Sequence, residues 1–203
     1  MTLDALFAQL KHPNPNLRER AMLELAESQD ETVIPRLMEA LADEDVTYRR
    51  AAVKALGAMG TTAIPALVMD LRSSDSVTVR GSCAKALAQV AINYPDEPFP
   101  DEGIEGLRAA LQDDNPVVHI AAAMALGEVG SRAYETLATA LTQTDNLGAQ
   151  VAMVNAIAAT KDPRAVETLT ALTQTETTDS YVREAAASAL SRLDLALNFR
   201  RST

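Results

Sequence analysis

The chain has 203 residues, 47% of them hydrophobic, and carries a formal net charge of -10 at pH 7. That length can bury a sizeable core, and the acidity argues against general binding to nucleic acid or to an anionic membrane, which needs a basic surface to displace counterions. One cysteine excludes an internal disulfide framework and a cysteine-based zinc site. With no leader-like start and no apolar run of about 18 residues, a soluble, cytoplasmic protein without membrane insertion is expected.

Aromatic residues make up only 3% and tryptophan is absent, while alanine and leucine dominate. This composition favours closely packed helices, so the fold class expected is all-α. In chain order the pattern predicts six helical pairs, at about 2–28, 31–59, 61–92, 101–129, 131–160 and 163–195, forming one array over 1–203. Each pair has a leading and a trailing helix. The leading helices are marked by Leu6 and Leu10, Leu37 and Leu41, Leu67 and Leu71, Leu107 and Leu111, Leu137 and Leu141, and Leu169 and Leu172.

The trailing helix is clearest from Asp45 onward. Asp45 suits an N-cap, Tyr48, Ala52, Val53 and Leu56 form one apolar stripe, Gly57 and Gly60 are expected to end the helix, and Pro65 fits the first turn of the next one. The same pattern recurs with anchors at Leu25, Leu56, Leu87, Leu126, Ile157 and Leu190, spaced by 31, 31, 39, 31 and 33 residues. Eleven residues before each anchor stand Asn14, Asp45, Ser76, Asn115, Asn146 and Asp179, all capping residues. The columns eight and four residues before the anchors are almost wholly apolar or small and are expected to be core. Two short amphipathic helices cannot bury their stripes alone, so the pairs must stack, as in a right-handed α-solenoid.

The period breaks between Ile92 and Gly103, where a proline-rich insertion at 93–102 adds about eight residues. It reads either as a tolerated surface loop or as a protrusion that meets a partner through Tyr94 and Phe99. The segment Leu197–Thr203 is expected to be frayed.

One trailing-helix column is polar where its neighbours are apolar: Arg18, Arg49, Arg80, His119, Gln150 and Arg183, seven residues before each anchor. This ladder is expected to be structural, its side chains running along the repeat interface to bond neighbouring carbonyls or cap carboxylates. Cys83 falls in the small-residue core column and is expected to be inert. His12 and His119 lie more than three repeats apart, so no metal site is expected, and no catalytic motif occurs. The outward face of the trailing helices changes along the chain. It offers a basic strip of Arg50, Lys54 and Lys85, then an apolar strip of Val117, Ile120, Met124 and Val151, with Asn155 beside it. Contiguous exposed apolar surface commonly marks a partner or ligand site.

The stretch D-V-T-Y-R-R-A-A-V-K-A-L-G-A-M-G-T-T-A-I-P-A-L, beginning at Asp45, resembles the HEAT-like repeat named after cyanobacterial phycobilisome lyases, a family that also holds NblB-type proteins. The resemblance covers the chain from about Leu3 to Leu195. It implies a cyanobacterial or related setting and a helical groove that holds a protein. The partner it implies is a phycobiliprotein, a second HEAT-repeat subunit or an iron–sulfur carrier of the IscA type. No cofactor is expected beyond a linear tetrapyrrole as transient ligand. No catalytic residue carries over, and Gly81, Ile120 and Gln150 depart from the usual polar consensus. The leading expectation is a non-catalytic scaffold or adaptor that binds its partner on the concave face; the alternatives are a subunit of a phycobilin lyase or isomerase, or a bilin chaperone, and an adaptor for the iron–sulfur carrier.

Overall fold

The computed structural model describes residues 1–201, with side chains described through residue 195. Two compact units are present, Met1–Gly106 and Leu107–Thr203. The first contains α1 (Leu3–Leu10), α2 (Pro15–Ala26), α3 (Val33–Ala40), α4 (Val46–Ala58), α5 (Ile64–Ser73) and α6 (Val77–Asn93). Helix α7 (Asp101–Ala110) begins in the first unit, and the second continues with α8 (Pro116–Val129), α9 (Tyr134–Thr142), α10 (Leu147–Ala159), α11 (Arg164–Gln174) and α12 (Ser180–Arg201). No strand occurs among the described residues, and the chain is an all-α array of HEAT-like helical hairpins. No described helix is long and apolar enough to cross a membrane. Of the segment expected to fray, the backbone is helical as far as Arg201; its side chains, and residues 202–203 altogether, lie outside the described residues.

Even-numbered helices are the trailing members of each pair, and within each unit they form a row: α2 packs on α4 and α4 on α6, and separately α8 packs on α10 and α10 on α12. The row is closed by the columns read from the sequence. Ala21, Ala52, Cys83, Ala122, Met153 and Ala186 are all sealed, as are the anchors Leu25, Leu56, Leu87, Leu126 and Ile157. Leu190, on α12, is half-buried. A fully buried leucine contributes about 1.5–3 kcal/mol against about 1 kcal/mol for a helix cap, so stacking carries most of the stability and the caps set the register.

Glycine decides how closely the row packs. Gly57 does not end α4; it lies inside the helix, where a Cβ would fall 2.5 Å from Gln89 Cβ on α6. Gly127 plays the same part on α8, where a Cβ would meet the carbonyl oxygen of Ala156 at 3.1 Å. The reversal comes at Gly60 and Gly130, which adopt φ of 69° and 83° and open short 3-10 turns. The equivalent position after α10 is Lys161, held at φ 54°, a left-handed conformation that costs an L residue about 1–2 kcal/mol.

The insertion turns inward. Phe99 is only 6% exposed and packs against Gly103 and Ile64, while the Tyr94 hydroxyl donates to the Ala58 carbonyl and its ring lies against Gly60. Phe99 is therefore core and cannot offer a partner contact, and Tyr94 is half-buried and engaged. The physical reason is that the longer connection still has apolar surface to cover: Phe99 lies beside Ile64 at the start of α5, and Tyr94 closes over the turn at Gly60.

Relief of the strained turn gives a direct measurement. Lys161→Gly is expected to raise the unfolding free energy by about 0.5–1 kcal/mol, the left-handed strain less the extra chain entropy of glycine, in urea denaturation followed by circular dichroism. An unchanged or lower midpoint would show that position 161 is not strained.

Candidate functional site

Every described turn before a trailing helix is built in the same way. Asn14, Asp45, Ser76, Asn115, Asn146 and Asp179 each accept a bond from a backbone N–H in the first turn of their helix. Two residues earlier, His12, Asp43, Ser74, Asp113 and Thr144 accept the N–H of five of those cap residues through their side chains, a second polar column that the sequence reading missed. Its signal was the polar residue at cap minus two in each repeat, obscured by the mixture of types.

The ladder closes the same turn from the other side. Arg18 donates to the carbonyls of His12 and Pro13, Arg49 to Asp43 and Glu44, Arg80 to Ser74 and Asp75, Gln150 to Thr144, and Arg183 to Thr178. His119 Nδ1 lies 3.3 Å from the Asp113 carbonyl oxygen. These bonds go to neighbouring carbonyls, as expected, and the carbonyls lie five or six residues back in the same repeat. The geometry makes the column a latch on the loop. It also gives both histidines a place: His12 accepts a backbone N–H and His119 fills a latch position, and no metal-holding cluster occurs among the described residues.

The outward face of α2 and α4 forms a groove of 340 Å³ lined by Pro15, Arg18, Glu19, Met22, Thr47, Arg50, Ala51 and Lys54. Arg50 and Lys54 stand one helical turn apart and exposed, and neither has an ion-pair partner among the described residues. Arg18 turns its guanidinium to the loop carbonyls, so two free cations and one carboxylate, Glu19, face the groove, with Met22 and Ala51 supplying apolar lining. Lys85 is exposed on α6 but does not line this groove, and buried Gly81 offers no side chain beside it.

In the second unit, Val117, Ile120 and Met124 are 54%, 37% and 62% exposed along one face of α8. Leu147, which the sequence reading left out, is also exposed on α10, where Val151 is half-buried. Asn155 is tied down: its amide donates to the Val151 carbonyl and its oxygen accepts from Arg192 at 2.6 Å. The strip is thus apolar without a free polar end at Asn155.

A larger groove, of 850 Å³, opens between α9 and α11 and was not anticipated. At its edge the Arg164 guanidinium lies 4.3 Å from the Tyr134 ring centroid and pairs with Asp162 and Glu135. The hydrogen bonds from Arg164 hold the Asp162 carboxyl below its usual range, and Asp162 in return raises the guanidinium. Leading-helix residues gave no signal in the sequence because small residues read there as ordinary helix formers.

Comparison with known proteins defines the class. A HEAT-repeat family profile matches residues 3–88, 70–150 and 104–191. The chain belongs to the HEAT-repeat family. It is 52% identical over 202 residues, 100% of each chain, to the uncharacterized phycocyanin operon protein Z of Pseudanabaena tenuis (strain PCC 7409). It is 39% identical over 115 residues to the bilin biosynthesis protein CpeZ of Synechococcus sp. (strain WH8020), a match covering 57% of this chain and 62% of that one. The solved complex of CpcE and CpcF of phycocyanin lyase from Nostoc sp. PCC7120 matches with a TM-score of 0.51 and 20% identity, over 76% of this chain and 96% of the matched one; this likeness shows the fold.

Two measurements follow from the geometry. Arg49→Ala removes both latch bonds of its turn and is expected to lower stability by about 1–3 kcal/mol, whereas Arg50→Ala, one residue on and facing solvent, stays within about 0.5 kcal/mol. Equal losses would remove the distinction between latch and surface. Burial pushes the Cys83 thiol up to about 12, and its side chain is sealed, so iodoacetamide at pH 8 should leave the native protein unmodified and label it fully in denaturant, as read by intact mass.

Proposed function

We propose that this chain is a non-catalytic HEAT-repeat adaptor in phycobilin handling, gripping a partner protein on the exposed face of its trailing helices. The observation that carries this reading is the pair Arg50 and Lys54, two unpartnered cations lining an apolar-backed groove on a protein whose net charge is -10. Cations with no ion-pair partner among the described residues are available to an anionic group on a ligand surface. The exposed strip on α8 gives the second unit an apolar contact of its own. The full-length relative named for a phycocyanin operon supports the biological setting.

A second reading is favoured by the relative named as a bilin biosynthesis protein. In it the chain is a subunit of a phycobilin lyase, or a bilin chaperone, and Arg50 and Lys54 meet the propionate carboxylates of a linear tetrapyrrole. Charge-assisted bonds of that kind are about twice as strong as neutral ones, which is what two free cations one turn apart can supply.

Immobilised protein offered an apo-phycobiliprotein subunit, and separately biliverdin, discriminates the two. The adaptor reading expects retention of the apo-subunit, cut by about tenfold or more in Arg50→Glu/Lys54→Glu, with no shift of the biliverdin absorption band. A band that shifts with biliverdin alone and reverts in Lys54→Glu transfers the assignment to the second reading. Retention that ignores the double reversal overturns the placement of the partner on this face.

A further inference from the structure

The groove between α9 and α11 has a counterpart in the first unit that is filled. Between α1 and α3 the equivalent space is only 270 Å³, because the protein fills it itself. Lys11 lies there 4.2 Å from the Tyr48 ring centroid, with its ammonium 3.1 Å from Asp43, and Arg36 lies 4.0 Å from the Phe7 ring centroid, with its guanidinium 2.8 Å from Asp4. Counting from the leucine anchors Leu6 and Leu137, Leu37 and Leu169, Leu56 and Leu190, the residues at the four filling positions are replaced in register. Phe7 becomes Ala138, Lys11 becomes Thr142, Arg36 becomes Thr168 and Tyr48 becomes Val182. Both cations and both aromatic rings are gone, and 850 Å³ stands open in their place.

Of the three carboxylates beside the filled space only one keeps its place: Glu135 stands where Asp4 does, while Asp43 becomes Thr177 and Glu39 becomes Ala171. Three carboxylates from other columns, Asp145, Glu167 and Asp179, line the open groove with Glu135 and the guanidinium of Arg164. Arg164 is committed to Asp162 and Glu135, so Asp145, Glu167 and Asp179 have no cationic partner among the described residues. Leu141, Leu172 and Val182 supply apolar lining beneath them. A site with an apolar floor and a rim of unpaired carboxylates matches the long stem and charged head of lysine or arginine.

We propose that this groove docks a basic segment of a partner protein, whose lysine or arginine side chains lie in the open space and reach Asp145, Glu167 and Asp179. The nine residues of α9 span about 13 Å, room for about four residues of extended chain. Alternate side chains then face the floor and the rim, so the preferred segment alternates basic and apolar residues. This docking is independent of the α2–α4 groove and of any pigment, and it stands or falls separately from the reading above.

The probe is a short fluorescein-labelled peptide of alternating lysine and leucine, titrated with the full chain in an anisotropy assay. Binding is expected, with a loss of about tenfold or more in Asp145→Lys/Glu167→Lys, both exposed positions that leave the core intact. Thr142→Lys/Val182→Tyr, which restores two of the four filling side chains of the first unit, is expected to cut binding by about tenfold or more while far-ultraviolet circular dichroism stays native. Arg50→Glu/Lys54→Glu should bind the peptide as well as the parent chain does. The proposal is overturned if the parent does not bind, if the rim reversal leaves affinity unchanged, or if spermidine displaces the peptide at matched charge concentration, which would make the occupant a small polyamine.

Discussion

A connection between two short helices exposes more backbone donors and acceptors than its few residues can satisfy, and an unsatisfied buried group costs about 1–3 kcal/mol. In this protein that constraint is met inside each repeat. The cap takes an N–H of its own helix, the residue two before it takes the cap's N–H, and the ladder side chain returns to the carbonyls of the same turn. Because each hairpin closes the polar groups of its own turn, the surfaces it offers its neighbours within a unit can be largely apolar, and the row of trailing helices packs mainly through small and aliphatic side chains and glycine.

That division of labour frees the remaining positions. Once capping, latching and stacking are assigned to fixed columns, the residues between them bear no structural duty and differ from repeat to repeat. Arg50 and Lys54 stand unpaired for this reason, and so do the exposed Val117, Ile120 and Met124. The same freedom acts on the leading helices, where one pair fills the space between repeats with cations over aromatic rings and another leaves it open. Function in such an array is a matter of which unburdened columns are spent on a partner.

The proline-rich insertion shows the limit of a local reading. Aromatic residues amid acids left a surface loop and a partner-contacting protrusion both open, yet Phe99 and Tyr94 complete the packing over α5 and the turn at Gly60. Gly57 misled in the opposite direction, since a glycine near a helix end suggests a stop and here answers to Gln89 across the row. In both cases the deciding contact comes from another repeat.

The sequence by itself determined the all-α class, the six caps, the core columns and the existence of a polar ladder, because these follow from a 3.6-residue period and from the chemistry of a helix start, which act over one turn of chain. Only the tertiary structure decided where the ladder's bonds end, which glycines set the spacing of the row, that the insertion's aromatic residues face inward, that Asn155 is held by Arg192, and that a groove opens between α9 and α11. The ladder's bonds span only five or six residues but need the folded turn to aim them, while the other features depend on how residues about thirty positions apart meet, and a space between two helices is defined by the small side chains that fail to fill it, which no single stretch of sequence records.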